Sequence, residues 1–187
     1  MFAEPARWWG GVNVGLLWAG AAPQLGLELR GARRLGDFYV GANAGLHGLV
    51  CCEAEVASDG GPALEGQFLI FTSRVEAEWR PLHVAGLELG LGLAAGAEWI
   101  QIDARPALFP GDEVRSQTST WTGVGRAGAL VRGPLFSWLA WVARAGVEVR
   151  SSPVGVVLPD GFPIQTEALG AQRFAPYFNL GVEAGWF

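Results

Sequence analysis

The chain has 187 residues and a formal net charge of −5; half of its residues are apolar and only 17% are charged. This composition excludes a disordered chain, and the length fits one domain, so we expect a single domain over residues 1–187. All thirteen basic residues are arginine and none of them forms a cluster, which argues against a nucleic acid as the partner.

Several features of other protein classes are missing from the sequence. It contains no uninterrupted apolar run of about eighteen residues, so no transmembrane helix is predicted. Residues 1–7 lack a basic start followed by an apolar core, so we expect any export signal to have been removed. Cys51 and Cys52 are the only cysteines and are neighbours, which excludes a disulfide framework. We expect free or locally oxidised thiols there rather than a metal site with His47, and no cofactor.

Apolar residues recur at every second position along nearly the whole chain, which is the period of a β-strand. In residues 87–99 the odd positions are leucine, alanine and tryptophan, whereas the even positions are mostly glycine and glutamate. The many glycines also count against helix. In chain order the pattern predicts eight strands, at residues 8–19, 24–33, 36–50, 65–80, 82–102, 115–132, 136–150 and 173–187.

The connections between these strands alternate in length. Short connections are predicted around residues 34–35, 80–81 and 133–134. Long connections are predicted at residues 51–64, 103–114 and 151–172, and only the connection at 19–23 breaks the pattern by being short. An even number of antiparallel strands, with tight turns at one end and long loops at the other, is typical of an outer-membrane barrel.

Alternation alone does not say which face of the sheet points outward. Roughly forty apolar side chains do not fit inside an eight-stranded barrel, whose interior is just wide enough for a packed core or one small ligand. The other face is rich in glycine, which suits a crowded interior. Its charged residues nearly balance, as buried charges require. We therefore predict an all-β, transmembrane, eight-stranded antiparallel up-and-down β-barrel with its apolar face in lipid. The predicted interior charge network is Glu28, Arg30, Arg74, Glu76, Glu78, Glu88, Glu98, Arg126, Arg132, Arg144, Glu148, Arg150 and Glu183.

Aromatic residues concentrate near the predicted strand ends. Two belts of aromatic side chains, separated by aliphatic residues, are typical of the two membrane interfaces. The predicted belt residues are Trp8, Trp9, Trp18, Phe38, Trp79, Trp99, Trp121, Trp138 and Trp186.

Residues 178–187, at the end of the last predicted strand, alternate in the same way and end in Trp186 and Phe187. Such an ending is similar to the signal read by the bacterial barrel-assembly machinery. With this ending, the sequence resembles the small eight-stranded outer-membrane proteins of the OmpA-transmembrane-domain and OmpX kind. The resemblance is architectural and implies a bacterial outer-membrane location with both termini periplasmic. Proteins of this kind serve as anchors, adhesins, recognition surfaces or, less often, enzymes, so the fold leaves the activity open.

We expect a non-enzymatic scaffold that is embedded in outer-membrane lipid and presents its long loops to a protein partner. Apolar residues in predicted loops often mark a partner surface, although they also suit loops that fold over the barrel mouth. The candidate partner-binding residues are Leu108, Phe109, Val157, Leu158, Phe162 and Ile164.

Two other functions remain open. A narrow gated pore for ions or small solutes would use the charged lumen for selectivity, although eight strands are too few for a porin-like channel. A lipid-modifying or proteolytic barrel enzyme would need a nucleophile and a base. Only two histidines exist: His47 is expected to point inward as a hydrogen-bonding residue, and His83 lies beside a tight turn. We therefore predict no catalytic residues and no metal ligands.

Overall fold

The structure is a computed structural model that describes residues 7–18, 23–48, 54–56, 64–106, 116–151, 156–157, 163–164 and 173–186. The described residues form eleven strands. They are β1 (Trp8–Trp18), β2 (Pro23–Leu35), β3 (Phe38–His47), β4 (Ala54–Val56), β5 (Leu64–Val84), β6 (Leu87–Pro106), β7 (Ser116–Pro134), β8 (Leu139–Arg150), β9 (Val156–Val157), β10 (Pro163–Ile164) and β11 (Phe174–Trp186).

Eight of these strands close into one antiparallel barrel. The order is β3-β2-β1-β11-β8-β7-β6-β5, and β3 also pairs with β5, which closes the ring. The first and last strands meet through pairs such as Trp8 with Trp186 and Leu16 with Phe178. The predicted fold class is therefore confirmed. The remaining short strands lie within predicted loops: β4 pairs with β5, and β9 pairs with β10.

Short turns gather at one end of the barrel, which we call the turn end, and the longer connections gather at the opposite loop end. Gly36 and Asp37 connect β2 to β3, and residues 135–138 connect β7 to β8. Trp8 and Trp186, near the two chain termini, also lie at the turn end. Among the residues that the structure describes, no helix is long and apolar enough to cross a membrane.

The predicted turn at residues 80–81 is wrong. The strand continues to Val84, and the turn consists of Ala85 and Gly86, whose φ angles are 51° and 83°. Two central residues with positive φ are typical of a type I′ hairpin turn, whose twist matches that of the flanking strands. Pro81 instead lies where the pairing of β5 with β6 shifts register, between Trp79 and Leu82. Such a β-bulge tolerates proline, because one residue is left out of the ladder.

Three neighbouring strands extend beyond the others at the loop end. β3 leaves β5 after the pair His47–Ile70, and β8 leaves β7 after the pair Arg150–Val124. Beyond these pairs β5, β6 and β7 stay paired with one another. We call residues 64–69, 101–106 and 116–123 the loop-end extension.

The two faces of the barrel wall have opposite chemistry. Large apolar side chains are exposed on the outside; Val75 and Leu93 each expose 67% of their surface. Arginine, glutamate and asparagine side chains are buried on the inside. A water-soluble protein has the reverse distribution, so this wall is suited to lipid.

Candidate functional site

In the part of the chain that the structure describes, the lumen holds seven arginines and seven glutamates, which form two separate clusters of ion pairs. The turn-side cluster consists of Arg30, Arg80, Arg132, Arg144, Glu76, Glu78, Glu88 and Glu183. The loop-side cluster consists of Arg74, Arg126, Arg150, Glu28, Glu98 and Glu148. Within the described part of the chain no ion pair joins the two clusters. Each cluster has equal numbers of both charges and is formally neutral.

Glu183 of β11 is the centre of the turn-side cluster. Its carboxylate pairs with Arg144 of the adjacent β8 and with Arg30 of β2, whose Nη1 lies 2.5 Å away. Arg80 and Arg132 reach its other oxygen at 3.5 and 3.4 Å. Four strands from different parts of the barrel wall thus meet at one buried carboxylate. Because the carboxylate would be costly to bury alone, these arginines are required for it to stay charged.

Arg74 of β5 is the centre of the loop-side cluster, as Glu183 is of the turn-side cluster. Its Nη2 lies 2.8 Å from Glu148 and 3.2 Å from Glu98, and its Nη1 lies 3.3 Å from Glu28. Arg150 bridges Glu98 and Glu148 from the other side, at 2.7 and 2.8 Å. The planar guanidinium suits such a site because it donates in several directions and stays charged when buried.

Asn43 of β3 connects the two clusters through hydrogen bonds. Its amide nitrogen donates to Glu76 at 2.8 Å, and its amide oxygen accepts from Arg74 at 3.4 Å. A small cavity of about 30 Å³ lies at the same level, against Gly92 and Gly128. That volume holds only two or three water molecules. At this level the described side chains therefore leave little free space.

All thirteen predicted network residues lie in these two clusters, and sequence reasoning missed one further member. Arg80 is buried, and its guanidinium lies 2.5 Å from Glu78 and 3.3 Å from Glu88. It was assigned to a turn because Pro81 follows it. The signal that could have found it is parity, since Arg74, Glu76, Glu78 and Arg80 occupy alternate positions of one strand. With Arg80 the seven glutamates have seven arginine partners.

Three lumen arginines also lie over aromatic rings. Arg80 lies 3.8 Å from the ring centre of Tyr39, and Arg126 lies 4.2 Å from that of Tyr177. Arg132 lies 3.9 Å from the ring of Trp9, which is only 7% exposed. Trp9 was expected in an aromatic belt, and this assignment is wrong: it has the inward parity of Asn13, and its ring covers an arginine at the turn end of the lumen.

The other described belt residues lie on the outside of the barrel, near its two ends. Exposed aromatic residues at the turn end are Trp8, Phe38, Trp79, Trp138 and Trp186. At the loop end Trp99 pairs with Trp121 in the adjacent strand, whereas the side chain of Trp18 lies outside the described part. On β5 the exposed aromatic residues nearest the loop end and the turn end are Phe71 and Trp79. That spacing is about 26 Å along a strand, or about 20 Å along the axis of a barrel with ordinary strand tilt.

His47 points into the lumen at the loop end and is buried. Its Nε2 lies 3.3 Å from the Glu28 carboxylate. A side chain at Gly26 would collide with the imidazole ring, and one at Gly45 would come within 3.3 Å of Nε2, so these glycines make room for His47. Among the described residues no group of three His, Cys, Asp or Glu side chains is placed to hold a metal ion.

Of the six candidate partner-binding residues, the structure describes two, and only their backbone. Leu108, Phe109, Leu158 and Phe162 lie outside the described residues, as do Cys51 and Cys52. Val157 and Ile164 lie in the paired strands β9 and β10, and their side chains are not described.

Comparison with known proteins identifies the architecture. No family model and no curated protein matches the sequence. The structure is similar to a major outer membrane protein from Thermus thermophilus, with a TM-score of 0.66 and 13% identity over 95% of this chain and 98% of that one. It is also similar to Neisserial surface protein A, with a TM-score of 0.57 and 8% identity over 97% of this chain and 98% of that one. The chain has the fold of the small eight-stranded outer-membrane barrels.

Proposed function

We propose that residues 1–187 form one domain of the bacterial outer membrane that has no enzymatic activity and presents its loop end to a protein partner. The termini are periplasmic in this proposal, because they lie at the turn end, opposite the long connections. The surrounding lipid is the second partner. This role requires a rigid anchor in the membrane and a binding surface outside it.

The charged lumen supports the role of anchor. Two neutral clusters and the aromatic rings of Trp9, Tyr39 and Tyr177 occupy its described part, and the cavity between them is small. A conducting path would require several buried ion pairs to separate at once. Removing one partner of a buried pair costs about 3–5 kcal/mol, so this lumen favours a closed barrel over a pore.

One edge of the loop-end extension is unpaired among the described residues, and this observation carries the proposal. Gly123 directs its N–H and C=O toward Ser151, which ends the contact with the β8 side. Alternate residues of a strand direct these groups to the same side, so Gln117, Ser119 and Trp121 present theirs there too. No described strand pairs with that side of these three residues. Such an edge can bind an extended segment of another protein by adding a strand.

A proline at position 119 tests this proposal. Ser119→Pro removes one N–H from the unpaired edge and leaves the hydrogen bonds to β6 intact, because residues 118 and 120 make those. Ser119→Ala is the matched control, since it keeps the N–H. We expect the wild-type chain and Ser119→Ala to cross-link to the same protein in native outer membranes, and Ser119→Pro to lose it. The proposal fails if Ser119→Pro retains that protein as well as Ser119→Ala does.

A further inference from the structure

Arg33 differs from the lumen arginines in both position and surroundings. It lies on β2 at the turn end and is exposed on the outer face, next to the exposed Trp8 of β1. Every arginine of the two clusters has a glutamate within ion-pair distance. Among the described residues no carboxylate is that close to Arg33, and the nearby Asp37 forms no ion pair with it. Its guanidinium instead lies over the Trp8 ring, 5.5 Å from the ring centre.

Directly beside Arg33 on the same outer face is a depression in the barrel wall. Gly31 is the next outward-facing residue toward the membrane centre, and a side chain added there would meet nothing within 4 Å. Gly31 pairs with Ala42 on one side and with Gly10 on the other. A side chain at Gly10 would collide with the ring of Trp186, so this ring lies against Gly10 and borders the depression. Exposed Leu29 and Val75 border it elsewhere.

Neither backbone strain nor internal crowding explains the glycine at position 31. Its φ is not positive, in contrast to the turn residues Gly36 and Gly86. A side chain at lumen glycines such as Gly96 would collide with neighbouring backbone, whereas none would at Gly31. Glycine weakens a strand, and in a strand it marks a bulge, a bend or a close approach by a ligand or another backbone. The pairing of Gly31 is regular on both sides, which excludes a bulge.

We propose that this part of the outer wall binds one glycerophospholipid molecule, with its phosphate on Arg33 and an acyl chain in the depression over Gly31 and Ala42. Guanidinium donates two parallel hydrogen bonds to phosphate, and Trp8 holds it at the level of the lipid headgroups. Arg34, the next residue, has the opposite parity: its guanidinium lies over the buried Tyr39 ring and its Nε donates to the Gly36 carbonyl at 2.9 Å, so Arg33 alone makes the phosphate contact. The site lies opposite the proposed partner-binding edge and is independent of it.

Native mass spectrometry of the full chain in detergent, titrated with dioleoylphosphatidylglycerol, tests the proposal. We expect one tightly retained lipid on the wild-type barrel. Gly31→Leu fills the depression and Arg33→Gln removes the phosphate contact, so each should weaken retention at least tenfold. Heat-dependent gel mobility shows whether each variant is folded. If Gly31→Leu does not fold, the comparison of Arg33→Gln with the wild type is the test.

Two matched variants and two further lipids complete the experiment. Gly125→Leu makes the same change at another open position of the outer wall, and Arg173→Gln removes an exposed arginine at the loop end. Both should retain the lipid like the wild type. The proposal is overturned if these controls weaken retention as much as the site variants, or if neither site variant weakens it. Equal retention of diacylglycerol, which lacks phosphate, or tighter retention of a phosphorylated lipid A also overturns it.

Discussion

Replacing Arg144 with leucine tests whether the turn-side cluster stabilises the barrel through charge pairing. Arg144 donates from Nε to Glu78 at 2.8 Å, from Nη2 to Glu183 and from Nη1 to Asn13 at 3.1 Å. Leucine removes all three hydrogen bonds and leaves the cluster with three arginines and four glutamates. Because leucine carries no charge, one buried negative charge becomes uncompensated.

The expected cost follows from these contacts. Breaking a buried ion pair by removing one partner costs about 3–5 kcal/mol. Glu78 and Glu183 both keep Arg30 and Arg80 as partners, which places the expected cost of Arg144→Leu at the lower end, about 3 kcal/mol. Glu78→Gln restores the charge balance in the Arg144→Leu background. We therefore expect the double variant to be at least about 1 kcal/mol more stable than the two single costs would predict together.

The assay is urea unfolding of the barrel in lipid vesicles, followed by tryptophan fluorescence. Arg126→Leu is the matched control because Arg126 pairs only within the loop-side cluster, with Glu28 and Glu148 at 2.9 Å each. Glu78→Gln should combine additively with Arg126→Leu, to within about 0.5 kcal/mol, since the two residues share no partner. The reasoning is refuted if Arg144→Leu costs less than about 1 kcal/mol, or if Glu78→Gln has the same effect in both backgrounds.

Three further predictions concern other parts of the chain. Arg80→Leu should cost about 3 kcal/mol in the same unfolding assay, whereas the exposed Arg173→Leu should cost under about 0.5 kcal/mol; equal costs would contradict the interior position of Arg80. Purified wild-type barrel should hydrolyse phospholipid no faster than His47→Ala, and a rate that depends on His47 would revive the enzyme hypothesis. When intact cells are treated with a reductant, a membrane-impermeant maleimide should label Cys51 or Cys52, and it should not label a variant with serine at both positions. Labelling only after lysis would contradict the proposed orientation.

The sequence was sufficient to predict which side chains enter the lumen, because a strand has a fixed two-residue period. The same rule would have assigned Trp9 and Arg80 correctly. They were misassigned because a tryptophan near a strand end suggests a belt and a proline suggests a turn. Pro81 instead occupies a bulge, and the turn that Ala85 and Gly86 form has only one glycine to indicate it.

Partners within the lumen could not be predicted from the sequence. Arg30 and Glu183 are 153 positions apart, and they meet because β1 joins β2 to β11 and closes the ring. The levels at which side chains meet across the lumen depend on strand tilt and stagger, which alternation does not specify. The division into two neutral clusters follows from this stagger. For the same reason the depression at Gly31 became visible only once Gly10, Ala42 and Trp186 were placed around it.

Oxygen accessibility of a spin label at position 93 is the most direct test of the barrel's orientation. The label is attached to Leu93→Cys in a chain whose native cysteines are serine, and the protein is reconstituted in lipid vesicles. Since Leu93 is exposed on the outer wall, the label should meet dissolved oxygen readily and a water-soluble nickel complex rarely, with the reverse at Ser137→Cys in the turn. Equal access of the nickel complex to both labels would contradict a lipid-facing outer wall.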